Sequence, residues 1–209
     1  MKNKLLLLLF LLGVVFPLSA QESEVLISTS HTSLLLSTSQ GGELKFLYYG
    51  RKLTDADVHA IVSTESGSFS AYPVYGLNCP SESALSVQHE DGNMTLQMEV
   101  IGVETTHQEK ANLTVISLKD KVYPFYVKLC YKAYQDVDVI EAWTEISHKE
   151  KKNVKLNQFA SAYLPVRKGN VWLSSLYGAW ANEARLVQEP LEPGMKVIKN
   201  KDCLLYTSP

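Results

Sequence analysis

The sequence predicts an all-β fold of two packed antiparallel sheets, and three observations carry that expectation. Apolar and polar residues alternate through most of the chain, turn residues punctuate the runs at regular intervals, and no stretch keeps a helical period beyond a turn or two. Short strands joined by tight turns build packed antiparallel sheets rather than alternating β and α units.

The chain opens with Lys2 and Lys4, an apolar run from Leu5 to Val15, and Phe16-Pro17-Leu18-Ser19-Ala20 ahead of polar Gln21-Glu22. A basic start, a short apolar centre and small residues at a cleavage point are the layout of a secretory signal, so residues 1–20 are expected to be removed on export. The apolar run is short for a bilayer span, and Gln21 stands where a lipid-anchored start would need Cys.

Ser33–Ser37 and Glu43–Tyr49 are apolar runs on either side of Gln40-Gly41-Gly42, which predicts two strands and a turn. From Lys52 to Ser83 the period of two is lost. This excursion carries Asp55, Asp57 and several serines before "YPVYGLNCPSES", and its length and Tyr and Pro content predict an ordered surface loop. Asp91-Gly92 is a hairpin signal, followed by Met94, Leu96, Met98 and Val100 alternating with Thr95, Gln97 and Glu99, a half-buried strand over Asn93–Val100. The same rhythm predicts strands at Leu113–Leu118, Phe125–Ala133, Val137–Ile146 and Val154–Leu164, with a shorter one at Val171–Leu176 after Lys168-Gly169-Asn170. Beyond it, "SLYGAWANEARLVQEPLEPGMKVI" reads as an irregular exit from a strand. There is no internal repeat and no low-complexity linker, so residues 21–202 read as one domain.

The formal charge of −2 becomes −4 without Lys2 and Lys4. A mildly acidic chain has no electrostatic footprint for nucleic acid or an anionic membrane. The one basic cluster, Lys149, Lys151, Lys152 and Lys155, reads as a solvated loop. Cys79, Cys130 and Cys203 have no framework spacing. Cys79 and Cys130 read as free thiols, with Cys130, between Lys128 and Lys132, on the more exposed sheet face. The five histidines, His31, His59, His89, His107 and His148, are scattered singly and read as surface or turn residues, with no metal spacing among them.

Asp136 and Asp138 would share one face of a strand, roughly 7 Å apart, an arrangement a glycosidase could use. "YQDVDV" reads instead as a solvated turn into the next strand. No nucleophile elbow and no phosphate-cradling loop is present. Asn93-Met94-Thr95 and Asn112-Leu113-Thr114 fit glycosylation sequons but fall in predicted strands. Near the end of the chain, Trp180 beside Glu183 and Arg185 could offer a sugar an aromatic face and polar partners; the alternative is that Trp180 packs a core edge while Glu183 pairs with Arg185.

Four stretches taken together, "HTSLLLSTSQGGELKFLYYGRKL", "YPVYG…SALSVQHEDGNM", "YPFYVKLCYKAYQDVDVIEAWTEISH" and "YGAWANEARLVQEPLEPGMKVI", resemble the N-terminal domain of glycoside hydrolase family 36 α-galactosidases, of a secreted Bacteroidetes-type. The likeness runs from about Thr32 to Ile198. It implies an antiparallel β-supersandwich, two large packed sheets incomplete at the C-terminus, followed in complete members by a (β/α)8 barrel that supplies both catalytic Asp residues for a retaining hydrolysis of α-galactosides such as raffinose-type sugars and galactomannan. No catalytic residue is carried over to this chain, and no metal or cofactor is implied. The resemblance further implies a homo-oligomer, a periplasmic or extracellular location, and Asp57 and Trp180 as substrate-adjacent positions. It departs from the family at Leu77-Asn78-Cys79-Pro80, where many relatives read Gly-Asp-Phe/Tyr-Arg, and in the exit segment, where relatives commonly have Glu directly followed by Arg. After Asp202, Cys203–Pro209 looks like adapter read-through, so a non-native tail is expected there. Two other readings stay open: an exported carbohydrate-binding sandwich with Trp180 and the Tyr72/Tyr75 loop as its face, and an α-N-acetylgalactosaminidase with the same fold.

Overall fold

The computed structural model describes residues 23–39, 41–64, 69–76, 82–166, 169–179, 182–192, 194 and 196–198. They form β1 (Ser23–Ser28), β2 (Thr32–Thr38), β3 (Leu44–Arg51), α1 (Asp55–Ser63), β4 (Phe69–Ser70), β5 (Leu85–Gln88), β6 (Met98–His107), β7 (Ala111–Asp120), β8 (Phe125–Tyr134), β9 (Val139–His148), β10 (Lys155–Phe159), β11 (Trp172–Ala179) and β12 (Asn182–Pro190). The chain divides into two compact units, one ending at Pro165 and one beginning at Val166.

In the first unit, β1-β2-β3-β4 make one antiparallel sheet and β6-β7-β8-β9 another, while β5 and β10 form a separate pair. The main core draws Val25, Ile27, Leu34, Leu36 and Phe46 from the first sheet and Ile116, Leu118, Phe125, Val127 and Leu129 from the second, with Leu85 and Val87 of β5 joining them. This is the predicted all-β packing of antiparallel sheets on a shared core. Each fully buried Leu or Phe contributes about 1.5–3 kcal/mol through apolar area withdrawn from water.

At the centre of β2, Leu34-Leu35-Leu36 run without a polar residue between them because both faces of the strand are covered. Leu34 and Leu36 enter the main core, and Leu35, fully buried, meets Leu47 and Val58 in a second cluster. Val58 belongs to α1, which lies in the stretch expected to be a loop. That expectation is corrected by a local signal. Thr54 caps the helix with a capping box, its hydroxyl accepting from the Asp57 amide at 3.3 Å while Asp57 accepts from the Thr54 amide at 2.9 Å. Two otherwise unpaired amides are satisfied reciprocally, and Leu53, Ile61 and Val62 flank the buried Val58 against the sheet.

The strand expected at Asn93–Val100 begins only at Met98. The alternation is present and Leu96 is buried, but Asp91 Oδ1 accepts from the Asn93 amide and Asn93 Oδ1 from the Thr95 amide, so side chains occupy the groups a ladder would use. The preceding turn signal holds, with His89 N–H bonded to Asn93 O and Gly92 at φ +87°, but the flanking β5 and β6 pair with β10 and β7 rather than with each other, so the turn closes no hairpin. The strands read at Leu113–Leu118, Phe125–Ala133, Val137–Ile146 and Val154–Leu164 correspond to β7, β8, β9 and the shorter β10.

Cys130 is a free thiol on the same sheet face as Lys128 and Lys132, as expected, but on that face its own side chain is buried. It pairs in register with Val115 on one side and Trp143 on the other, so neighbours on a central strand cover a small side chain that the long Lys128 beside it outreaches. Burial pushes its thiol pKa up.

In the second unit, the exit segment read as irregular is a strand. β12 pairs with β11 in a hairpin whose register shifts between Tyr177 and Ala179. Ala184 sits at φ +57°, in the left-handed region. Such a backbone break inside β12 removes the period-two signal at the point where the sequence would have announced a strand.

Candidate functional site

Asp57 is exposed, and its carboxylate is engaged within its own helix turn by the Thr54 amide and hydroxyl, the latter at 2.7 Å. Those bonds hold it below the usual carboxylate range, the hydroxyl first. Trp180 lies outside the described residues, as do Cys79, the side chain of Glu183, residues 1–20 and Cys203–Pro209.

The acid pair lies in the turn between β8 and β9, as expected, and its members differ. Asp136 is exposed and stands 4.0 Å from Lys110. Asp138 is held by both oxygens, Oδ1 accepting from the Thr29 hydroxyl and Oδ2 from the Thr32 hydroxyl at 3.0 Å, which ties the β8–β9 turn to the β1–β2 turn. The Thr29 bond is the largest cause of its lowered pKa. Asp138 thus serves as a joint between the two sheets. A third acid, Asp120, is buried at the β7–β8 turn and accepts from the amides of Gln97, Val122 and Tyr123 at 2.6–2.8 Å. Asp57, Asp138 and Asp120 each hold a local joint of the fold, and Asp136 stays solvated.

His31, His59, His107 and His148 are exposed, as expected, but His89 is not. It is buried, stacked on Tyr123 with ring centroids 3.6 Å apart and planes 7° apart, and edge-on to Phe125. Its Nδ1 lies 2.8 Å from Glu150 Oε1, and Nε2 has no hydrogen-bond partner. Tyr123 in turn donates to Asp91 at 2.7 Å, which lowers the Asp91 pKa and raises that of Tyr123. The assembly fastens the 89–93 turn to the segment after β9. Nothing in the spacing of His89, Tyr123 and Glu150 announces it, because the three are joined only across the fold. The basic cluster is solvated as read, Lys152 pairing with Glu90 at 2.8 Å and Lys149 lying over the Tyr126 ring. Among the described residues no group of His, Cys, Asp and Glu could hold a metal ion.

A polar cleft of the first unit lies elsewhere. A cleft of about 580 Å³ is lined by Tyr75, Gly76, Glu82, Ser83, Ser86, Thr95 and Gln158. Its floor is the β5–β10 pair, in which a register shift between Leu156 and Gln158 sets Gln158 opposite Ser86. Gln158 Nε2 donates to Glu82 Oε1 at 3.1 Å and to Ser83 O at 2.9 Å, orienting both its own amide and the carboxylate. Tyr75 is pinned through its backbone, its amide donating to Leu85 O and its carbonyl accepting from Leu96 N–H, while its side chain remains half exposed. Gly76, at φ +140°, follows because a Cβ there would come within 2.9 Å of Thr95 Cγ2 and 3.1 Å of the Leu96 backbone. Tyr72, read with Tyr75 as one aromatic face, is separated from it: its ring is buried and its hydroxyl donates to Ala160 O at 2.9 Å.

The model of the glycosyl hydrolase family 36 N-terminal domain matches residues 42–204. Similar solved structures include an α-galactosidase from Lactobacillus brevis, 20% identical with a TM-score of 0.72, covering 87% of this chain and 29% of that one. A Geobacillus stearothermophilus α-galactosidase in complex with 1-deoxygalactonojirimycin is 21% identical with a TM-score of 0.71, over 82% of this chain and 28% of that one. A second enzyme from that organism is 22% identical with a TM-score of 0.68, over 84% and 28%. At these identities the likeness is one of fold, and the chain spans less than a third of each structure. No curated protein matches the chain.

Proposed function

The chain belongs to glycosyl hydrolase family 36 through its N-terminal domain, and from that premise we propose that it is the scaffold domain of a retaining α-galactosidase. The whole enzyme would remove terminal α-galactosyl residues from raffinose-type oligosaccharides and galactomannan, in the periplasm or outside the cell, as a homo-oligomer. The family match over most of the chain carries the reading. The described residues supply support for it by what their acids do: Asp57 caps a helix, Asp138 joins two turns and Asp120 seals a hairpin. A retaining glycosidase needs two carboxyl groups about 5–5.5 Å apart across the sugar bond, and these three are instead engaged in holding the fold. In this reading the catalytic pair is supplied by sequence beyond these 209 residues, as in the complete enzymes the chain resembles, and the chain by itself is expected to be inactive.

The test has two arms. The genomic locus read past codon 202 is expected to continue into βα repeats, and its full product to cleave an aryl α-galactoside with retained configuration. The purified 209-residue chain is expected to give no turnover above a mock preparation. A stop codon at the end of this chain in an independently read clone, or turnover by the chain itself, would overturn the proposal.

A further inference from the structure

The polar cleft between Tyr75 and the β5–β10 pair has a composition that selects its ligand. Among the described residues its lining holds one carboxylate, one amide, three hydroxyl side chains and one exposed aromatic ring, and no basic side chain. Without a cation, a phosphate or carboxylate ligand would face Glu82 uncompensated. A wholly apolar ligand would strip water from five polar side chains and return no hydrogen bonds. What fits is an uncharged molecule with many hydroxyls and an apolar face. A carbohydrate ring presents its C–H face to an aromatic side chain and its vicinal hydroxyls to paired donors and acceptors.

The polar groups are set before any ligand arrives. Gln158 is fixed by its bonds to Glu82 and Ser83 O, and Tyr75 by backbone bonds to Leu85 and Leu96. The Glu82–Gln158 pair leaves further acceptor positions on the carboxylate, since each oxygen takes more than one hydrogen bond. Fixed donors and acceptors cost less ordering on binding. The volume of about 580 Å³ admits a di- or trisaccharide rather than a single small solute.

We infer that the Tyr75–Glu82–Gln158 cleft is a non-catalytic binding subsite for neutral oligosaccharides, in which Tyr75 is the platform and the Glu82–Gln158 pair reads adjacent hydroxyls. The choice of an α-galactoside as one probe rests on the proposed enzyme; the preference for a neutral saccharide rests on the cleft alone.

The 209-residue chain is titrated with raffinose and, separately, with cellotriose, following ligand signals by saturation-transfer NMR and affinity by calorimetry. Tyr75→Ala and Gln158→Ala are compared with the parent chain, with far-UV circular dichroism to confirm that the sheets persist. At least one of the two sugars is expected to bind, and each substitution to weaken that binding about tenfold or more. Tyr75→Phe, which keeps the ring, is expected to retain it. Binding of neither sugar, or binding unchanged in both alanine variants, overturns the inference. Because the readout is binding rather than turnover, its failure leaves the enzyme assignment standing, and turnover by the chain would overturn that assignment without touching this one.

Discussion

The two four-stranded sheets of the first unit treat their outer faces differently. In the sheet β1–β4 the central strands β2 and β3 are covered on both sides, by the main core and by α1, so that Leu35 and Leu47 are as buried as the residues facing inward. The sheet β6–β9 packs on one side and leaves the other to water, where Lys128 stands opposite Glu145 and Lys132 opposite Glu141. Opposite charges facing each other across neighbouring strands suit a wet surface. The difference shows how one helix of nine residues changes what a strand must be made of. β2 under the helix carries three consecutive leucines at its centre, and β8 under water alternates.

The largest effect should come from removing the cover's anchor. Leu35→Ala is expected to cost about 2–5 kcal/mol, from lost burial and the cavity left behind, whereas Lys128→Ala on the open face of the other sheet should fall within about 0.5 kcal/mol. Urea denaturation of both variants gives the ratio directly, and equal midpoints would erase the distinction between the faces. A smaller effect is expected from Thr54→Ala. Losing the capping box should cost about 1 kcal/mol, felt through α1 and therefore through Leu35 rather than through β6–β9. Hydrogen exchange is the sharper measurement here, since faster exchange should be confined to α1 and the strands it covers.

The subtlest tests use pH, one for the joint between the sheets and one for the second sheet's core side. Asp138 has its folded pKa depressed by the Thr29 hydroxyl. Its contribution is present above the unfolded carboxylate value of about 3.9 and is lost as pH falls through the lower folded value. The difference in melting temperature between the parent chain and Asp138→Asn should therefore shrink below about pH 4. Tyr131, on β8, behaves oppositely. Burial raises its pKa to about 12, so its contribution is complete below the unfolded value of about 10 and is lost as pH rises through 10 to 12. Tyr131→Phe should flatten the loss of stability between those values, and an unchanged alkaline profile would remove Tyr131 as its cause.

The strands with one wet face were legible from the sequence, because alternation is the direct imprint of a half-buried strand: β7, β8 and β9 follow it closely. The turn at Asp91-Gly92 was legible for the same local reason. The helix was hidden by a capping box written with Asp in place of Glu or Gln, and by β-branched residues that suit strands as well. β12 was hidden by the left-handed Ala184, and the strand start at Met98 by side chains that bond the backbone of residues 91–95.

By itself the sequence determined the fold class, the antiparallel rhythm and the kinship, since all three are carried by residues a few positions apart or by the order of segments along the chain. Tertiary structure alone decided that Cys130 and His89 are buried, which of Tyr72 and Tyr75 faces solvent, and that Glu82, Thr95 and Gln158 share one cleft. Burial and proximity between residues tens of positions apart depend on how the strands pack and register, and that arrangement is a property of the whole chain that no local stretch encodes.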